Sequence, residues 1–286
     1  AKEDKSMIIT SQTQLLGIIG HPVEHSLSPL FQNAALSSLG LPFVYLAFDI
    51  LPSHLEKALE AMRIFSIRGF NVTIPYKEKV IPFLDALEEE AQIIGAVNTI
   101  VNEEGKLVGY NTDGVGLYRS LDKKGLNIKG KKALLLGAGG AARAVVWALW
   151  KKGIASISIR NRTQERGEDL ADWIRANFSL EVEVEEWKKM REQKPLGQEV
   201  GIIVNATSLG LKGEEVPLSW DTLSSSVWVV DIVYRKGLTP LVKEAQKRGI
   251  RSFDGKEMLL YQGAESFSLF TGKKAPLGVM ERALDL

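Results

Sequence analysis

The side chains of this sequence that could do chemistry are a lysine, a carboxylate, and a set of amides and hydroxyls at the ends of apolar runs. Asn71, Thr73 and Lys77 lie in Asn71-Val72-Thr73-Ile74-Pro75-Tyr76-Lys77, at the end of an apolar stretch. Asp113 lies in Asn111-Thr112-Asp113-Gly114. Ligands of open α/β sheets sit outside the carboxyl ends of strands, so Asn71, Thr73 and Lys77 are placed where chemistry would be. Each also has a plainer reading. Lys77 could be a solvated lysine in the first turn of a helix, although a cation there opposes the helix dipole. Asp113 could simply cap a helix over residues 115–123. Ser26 and Ser28, in His25-Ser26-Leu27-Ser28-Pro29, offer neutral donors beside a helix start that suit a small anion such as a carboxylate. Equally, Ser28 reads as an N-cap with Pro29 in the first helical position. His21, His25 and His54 show no metal-ligand spacing and read as loop or surface histidines, so no metal is expected.

The second centre is Leu136-Gly137-Ala138-Gly139-Gly140-Ala141-Ala142, after the aliphatic run of residues 133–136. Gly137, Gly139 and Ala142 match the G-x-G-x-x-G/A spacing of a dinucleotide-binding turn. Gly137 permits the tight turn, Gly139 lets backbone N–H groups approach a pyrophosphate, and Ala142 lets the helix lie close to the strand. The free N–H groups of that helix start favour a phosphate. The next strand, over residues 156–160, ends in Arg160-Asn161-Arg162-Thr163. An NAD site presents Asp or Glu there to the ribose 2′-OH, whereas this position offers arginine, which matches a 2′-phosphate in charge and geometry. The cofactor expected is NADP.

The elements that must position these groups read as α/β. Strands are expected over 15–20, 43–48 and 67–72, with helices over 28–39 and 55–62, the latter opened by a Ser53/Glu56 capping box. Glu88-Glu89-Glu90 reads as a solvated helix face. Residues 95–102 and 106–111, joined at Glu103-Glu104-Gly105, read as a hairpin that delivers Asp113. Further strands are expected over 181–184, 201–205 and 227–233. Their carboxyl ends carry Asn205-Ala206-Thr207-Ser208-Leu209-Gly210 and Asp231-Ile232-Val233-Tyr234, on the same rim as the glycine turn. Thr239-Pro240 opens a helix ending at Gly249. The tail from Gly255 is helical, with Met258, Leu259, Gln262 and Gly263 on one face that packs into the core apart from the amide.

Bulk properties set the frame. A chain of 286 residues suits two medium domains, and a net charge of +1 without long basic runs gives no electrostatic case for nucleic acid or an anionic membrane. No apolar stretch of about 18 residues occurs, so no spanning helix is expected. The absence of cysteine excludes disulfides and thiol chemistry. Ala1-Lys2-Glu3-Asp4-Lys5-Ser6-Met7 is too short and polar for a secretory signal, which makes a cytoplasmic enzyme the default. Ala1 in place of Met leaves open processing or a segment of a longer chain.

Taken together, the motifs resemble one family. They are Gly20-x-Pro22-x-x-His25-Ser26-x-Ser28-Pro29, Asn71-Val72-Thr73-x-Pro75-x-Lys77, Gly95-Ala96-Val97-Asn98-Thr99, Asn111-Thr112-Asp113-Gly114, Gly137-x-Gly139-Gly140-Ala141, Asn161-Arg162-Thr163, Asn205-Ala206-Thr207-Ser208-x-Gly210 and Met258-Leu259-x-x-Gln262. Any one is weak, but their joint occurrence in this order is specific, and it resembles the shikimate dehydrogenase family over nearly the whole chain. The resemblance implies NADP-dependent reduction of 3-dehydroshikimate to shikimate, in aromatic amino-acid and chorismate biosynthesis. It implies Lys77 and Asp113 as the catalytic pair, and Ser26, Ser28, Asn71, Thr73, Asn98, Tyr234 and Gln262 as substrate residues. Cofactor residues would be Gly137, Ala138, Gly139, Gly140, Ala141, Asn161, Arg162, Thr163, Thr207, Ser208 and Gly255. The implied fold is a two-domain α/β chain. Residues 1–110 with 241–286 form an open α/β substrate domain, and residues 111–240 form a Rossmann-type NADP-binding domain, with the C-terminal helices returning to the first. A small-molecule substrate, no nucleic acid or membrane partner, and a monomer or homodimer complete the expectation.

Two positions depart from the family pattern: Tyr234-Arg235-Lys236 stands where Tyr-x-Pro is usual, and Leu211 where Met is frequent. The first removes a rigid turn. The second exchanges one apolar side chain for another. The alternatives are a relative acting on quinate, with NAD, a ligand-sensing paralogue without catalysis, and a dehydrogenase of a folate-like substrate.

Overall fold

A computed structural model describes residues 9–188 and 200–285 of the chain. The polar stretch Ala1 to Met7, read above for a secretory signal, lies outside them. The chain divides into two compact units, one running to Gly116 and resuming at Leu260, the other Leu117–Leu259.

In the first unit the chain runs β1 (Gln14–Gly20), α1 (Ser28–Ser38), β2 (Phe43–Asp49), α2 (Leu55–Ile64), β3 (Gly69–Val72), β4 (Ala86–Leu87), α3 (Glu89–Ile94), β5 (Thr99–Glu103) and β6 (Lys106–Tyr110), and α4 (Asp113–Lys123) leads from it into the second. The sheet order is β2-β1-β3-β5-β6-β4. β1 is parallel to β2 and β3, whereas β5 is antiparallel to both β3 and β6. The reversal from β5 to β6 is made by the expected hairpin, where Glu104 and Gly105 have φ of 54° and 94°. Positive φ at both central residues is what a two-residue hairpin turn matched to strand twist requires. Leu55, Leu59 and Met62 of α2, at i, i+4 and i+7, pack in one core with Ile19, Phe70, Val72 and Ile100. Because β5 is antiparallel, its amino end lies beside the carboxyl end of β3, and β6 returns to the same rim.

The second unit is wholly parallel: β7 (Lys132–Leu136), α5 (Gly140–Lys151), β8 (Ser156–Asn161), α6 (Gln164–Asn177), β9 (Glu181–Glu186), β10 (Val200–Asn205), β11 (Trp228–Asp231), α7 (Pro240–Lys247) and β12 (Arg251–Phe253). Its order, β12-β11-β10-β7-β8-β9, is the doubly wound Rossmann arrangement. The strand order reverses between β7 and β10, so the crevice at their carboxyl ends is the ligand position of such sheets. Ala133, Leu134, Leu135 and Leu136 are all buried, as a strand covered on both faces demands. Helices α8 (Lys256–Thr271) and α9 (Leu277–Ala283) complete the chain.

Several local expectations are corrected. Ser28 is not the cap of α1: Leu27 holds that position without a side-chain bond, and Ser28 is the first helical residue. The Ser53/Glu56 capping box does not form, because a single 3-10 turn over Pro52–His54 leads into α2 and takes over its start. Lys77 lies in a turn and not in a helix. Asp113 is the first residue of α4, and Asn111 Oδ1 accepts the N–H groups of Asp113 and Gly114 in its place. The unit division falls inside α4 and α8, after Gly116 and Leu259, where boundaries at 110/111 and 240/241 were expected. The second difference has a simple cause: β12 pairs with β11, so residues beyond 240 still belong to the parallel sheet.

Candidate active site

Lys77 Nζ donates to Asp113 Oδ2 at 2.5 Å, with both side chains largely buried. Three pieces of backbone hold the pair. Tyr76, fully buried, donates its hydroxyl to the Ile50 carbonyl and fixes the turn that carries Lys77. The Lys77 carbonyl accepts the Val97 N–H at 2.7 Å, and the Asn98 N–H donates to the Tyr110 carbonyl at 3.1 Å. The ends of β3, β5 and β6 are thereby tied together.

Asn98 organises the centre. Its Oδ1 accepts the Thr112 N–H at 2.8 Å, which fixes the amide orientation and turns Nδ2 toward the site. The two hydrogens of Nδ2 are shared among Thr112 Oγ1 (2.8 Å), Asp113 Oδ1 (3.1 Å) and Gln262 Oε1 (3.3 Å). The amide of Asn71 is turned away from this group. Its Oδ1 accepts the Tyr45 hydroxyl at 2.7 Å, and its Nδ2 faces the Asn98 carbonyl, Thr99 Oγ1 and Ser266 Oγ. Ser266 on α8 contacts Thr99 Oγ1 (2.8 Å) and Thr112 Oγ1 (3.2 Å) and donates to the Gln262 carbonyl at 3.0 Å. Thus Lys77, Asp113, Asn98, Asn71 and Gln262 form one buried network. Ser26, Ser28 and Thr73 stand outside it: Ser26 on the loop after β1, Ser28 at the start of α1, and Thr73 just after β3. Ser26 Oγ accepts the Ser28 N–H at 3.2 Å, while the hydroxyls of Ser28 and Thr73 meet no hydrogen-bond partner among the described residues.

Tyr45, Thr99, Thr112 and Ser266 are the residues that sequence reasoning missed. Thr99 and Thr112 lie inside motifs already singled out, and Ser266 stands four residues after Gln262 on the same helical face. Nothing around Tyr45 separates it from an ordinary core tyrosine.

In the second unit, Gly137 has φ of 103°, and a Cβ there would lie 2.9 Å from the Ala206 carbonyl oxygen. At Gly139 a Cβ would meet nothing within 4 Å, so open space lies before the start of α5. The N–H groups of Ala138, Gly139, Gly140 and Ala141 meet no acceptor among the described residues. Four unmet donors at a helix start, with room before them, fit a pyrophosphate. Arg160 is buried and engaged with Glu185 of β9. Arg162, exposed and unpartnered among the described residues, is therefore the arginine left for a 2′-phosphate. Asn161 Nδ2 donates to the Thr163 carbonyl at 2.6 Å, which shapes the turn carrying Arg162. The residues present fit NADP.

Thr207 donates its hydroxyl to Asn205 Oδ1 at 2.6 Å, while Ser208 is exposed. Tyr234 is half-buried, and Leu211 is an exposed apolar residue. Gly255 admits no side chain, since a Cβ would lie 2.1 Å from the Ile232 carbonyl oxygen. A buried acid, Asp231, and a partly buried one, Asp254, stand nearby at neighbouring strand ends. Burial pushes Asp231 up to about 6, although the Thr239 hydroxyl, Val233 N–H and Asn205 amide pull it back and the Asp254 charge adds to the rise. Asp254 is raised too, again chiefly by burial. Among the described residues no group of three or more His, Asp or Glu is placed to hold a metal ion.

Three family descriptions match: "Shikimate dehydrogenase substrate binding domain" over residues 18–100, "Shikimate / quinate 5-dehydrogenase" over 120–244, and "Shikimate 5'-dehydrogenase C-terminal domain" over 255–284. A shikimate dehydrogenase (NADP(+)) of Moorella thermoacetica is 46% identical over 278 residues, covering 96% of this chain and 94% of the relative. The solved shikimate dehydrogenase of Aquifex aeolicus is 44% identical with a TM-score of 0.86, covering 97% of this chain and 99% of that one. That of Thermus thermophilus, solved with NADP(H) and shikimate, is 39% identical with a TM-score of 0.83, covering 96% and 99%.

Proposed function

The chain belongs to the shikimate dehydrogenase family, and we propose that it catalyses the NADP-dependent, reversible reduction of 3-dehydroshikimate to shikimate, in aromatic amino-acid and chorismate biosynthesis. The observation that carries the reading is the Lys77–Asp113 pair, held by Asn98 on a rim lined with donors. When bound, NADPH supplies the hydride for the ketone carbon. Lys77 gives the ketone oxygen its proton, and in the reverse direction it takes the proton of the alcohol. Asp113 Oδ2 aims the ammonium, while Oδ1 is kept in place by Asn98.

The remaining assignments are supported by the family motifs and by the bonds described above. Ser26 and Ser28 bind the substrate carboxylate through hydroxyl donors. Thr73, Asn98 and Gln262 read ring hydroxyls, and Tyr234 contributes to substrate binding. Asn71, whose polar atoms are taken by protein partners, serves the substrate through Asn98 and Ser266. Gly137, Ala138, Gly139, Gly140 and Ala141 hold the pyrophosphate, Asn161, Arg162 and Thr163 the 2′-phosphate, Thr207 and Ser208 bind the cofactor further along the rim, and Gly255 lies by the nicotinamide. The first unit is the substrate domain and the second the NADP domain. The protein works in the cytoplasm as a monomer or homodimer, with no nucleic-acid or membrane partner. Support comes from the near-neutral charge and from the absence, among the described residues, of a helix long and apolar enough to cross a membrane.

Replacing Lys77 by alanine tests the reading. Proton transfer belongs to the transition state, so kcat should fall about a hundredfold to ten-thousandfold while KM for shikimate changes little. An unchanged kcat would remove Lys77 from the chemistry.

A further inference from the structure

We propose that Asp231 is a positioning residue for the cofactor: acting through Asn205, it holds the turn after β10 against the glycine turn after β7. The inference rests on the NADP reading above. Asp231 is fully buried, and its Oδ1 accepts both Asn205 Nδ2 at 2.9 Å and the Val233 N–H at 3.1 Å. A buried oxygen that only accepts obliges Asn205 to present its NH₂, so the Asn205 carbonyl oxygen faces the opposite way. There it accepts the Thr207 N–H at 3.1 Å and the Thr207 hydroxyl at 2.6 Å. With its proton committed, the Thr207 oxygen accepts the Leu209 N–H at 3.1 Å, and the Leu209 carbonyl accepts the second hydrogen of Asn205 at 3.0 Å. The turn is closed on itself, and Asp231 is the anchor that decides which way Asn205 points.

What this turn touches gives the relay its purpose. The Ala206 N–H donates to the Leu136 carbonyl at 2.7 Å, and the Ala206 carbonyl oxygen lies where a Cβ on Gly137 would come within 2.9 Å. Thr207 Cγ2 would lie 3.0 Å from the same Cβ. A displaced turn therefore displaces the wall of the phosphate site. The Thr239 hydroxyl stands beside the same carboxylate, so Asp231 is held from the loop before α7 as well. Thr207, its hydroxyl already committed, meets the cofactor through backbone and methyl, and Ser208 supplies the exposed hydroxyl.

The test is calorimetric titration of NADP+, and separately of shikimate, into wild type, Asp231→Asn, Asp231→Ala, Asn205→Ala and the double alanine variant. Asp231→Ala should weaken NADP+ about tenfold, the loss of roughly one well-made hydrogen bond. Asp231→Asn should bind NADP+ within about threefold of wild type, because its amide oxygen replaces Oδ1 for the same two donors. Shikimate affinity should stay unchanged throughout, and the two alanine losses should not add. Wild-type NADP+ affinity in Asp231→Ala, or fully additive losses, would overturn the proposal. If Asp231→Ala does not fold, Asn205→Ala alone decides: weakened NADP+ binding supports the relay, and unchanged binding overturns it. A wild-type protein that binds shikimate but no NADP+ would overturn the cofactor reading and this inference with it, a result distinct from a failure of the relay alone.

Discussion

Asp113 sits between two donors, Lys77 on one oxygen and Asn98 on the other, and the direction of its hold on the ammonium follows from that. The Thr112 N–H leaves the Asn98 amide one way to point, so Asp113 cannot rotate without breaking two bonds. On the proposed mechanism Lys77 serves both directions, so Lys77→Ala should lower kcat for shikimate oxidation and for dehydroshikimate reduction alike. A loss in one direction only would argue that another group carries the proton in the other. At the other centre, Arg162 faces solvent while Arg160 is spent on Glu185. Arg162→Ala should weaken NADP+ about ten- to a hundredfold and leave NAD+ almost unaffected, the loss being one charge-assisted phosphate contact. Equal losses for both cofactors would show that Arg162 supports the turn and does not read the phosphate.

The ends of β11 and β12 place Asp231 and Asp254 next to each other in a buried setting, and this has a consequence for stability. A carboxyl raised from 3.8 to about 6 binds its proton more tightly folded than unfolded. Its favourable contribution is full below the unfolded value, fades through the interval between the two, and is gone above about 6; the whole span is worth roughly 3 kcal/mol. Asp231→Asn removes that loss. Urea unfolding at about pH 5 and about pH 8 should show the variant gaining on wild type as pH rises. A constant difference between the two pH values would mean that Asp231 is not the group that titrates. Elements also differ in how far local pattern revealed them. The glycine turn, the Glu104-Gly105 hairpin and the Thr239 cap of α7 were legible because each depends on a steric or bonding need of a few consecutive residues. The caps assigned to Ser28, Ser53 and Asp113 were not, since neighbouring residues or an extra turn met the same backbone groups. Tyr45 and Ser266 were illegible for another reason: their hydroxyls meet partners far away in sequence, brought near only by the sheet and by α8.

At the scale of the whole molecule, the chain builds two sheets and puts its reactive groups on the same kind of place in each. The first unit carries Ser26, Ser28, Thr73 and Lys77 beyond the carboxyl ends of β1 and β3, and its antiparallel hairpin brings Asn98 and Asp113 to that rim. The second carries the glycine turn, Arg162, Thr207 and Tyr234 beyond β7, β8, β10 and β11. Open α/β sheets bind ligands there because strand ends and helix starts leave backbone groups unmet. On the proposed reading one unit offers hydroxyls and a proton donor, the other a phosphate cradle. The measurement that tests this account most directly is the initial rate of nicotinamide reduction with shikimate and with quinate, each supplied with NADP+ and with NAD+. Turnover concentrated in the pairing of shikimate with NADP+ is the predicted result. Comparable or faster turnover with quinate or with NAD+ would contradict it, as would the absence of turnover from a folded protein that binds both ligands.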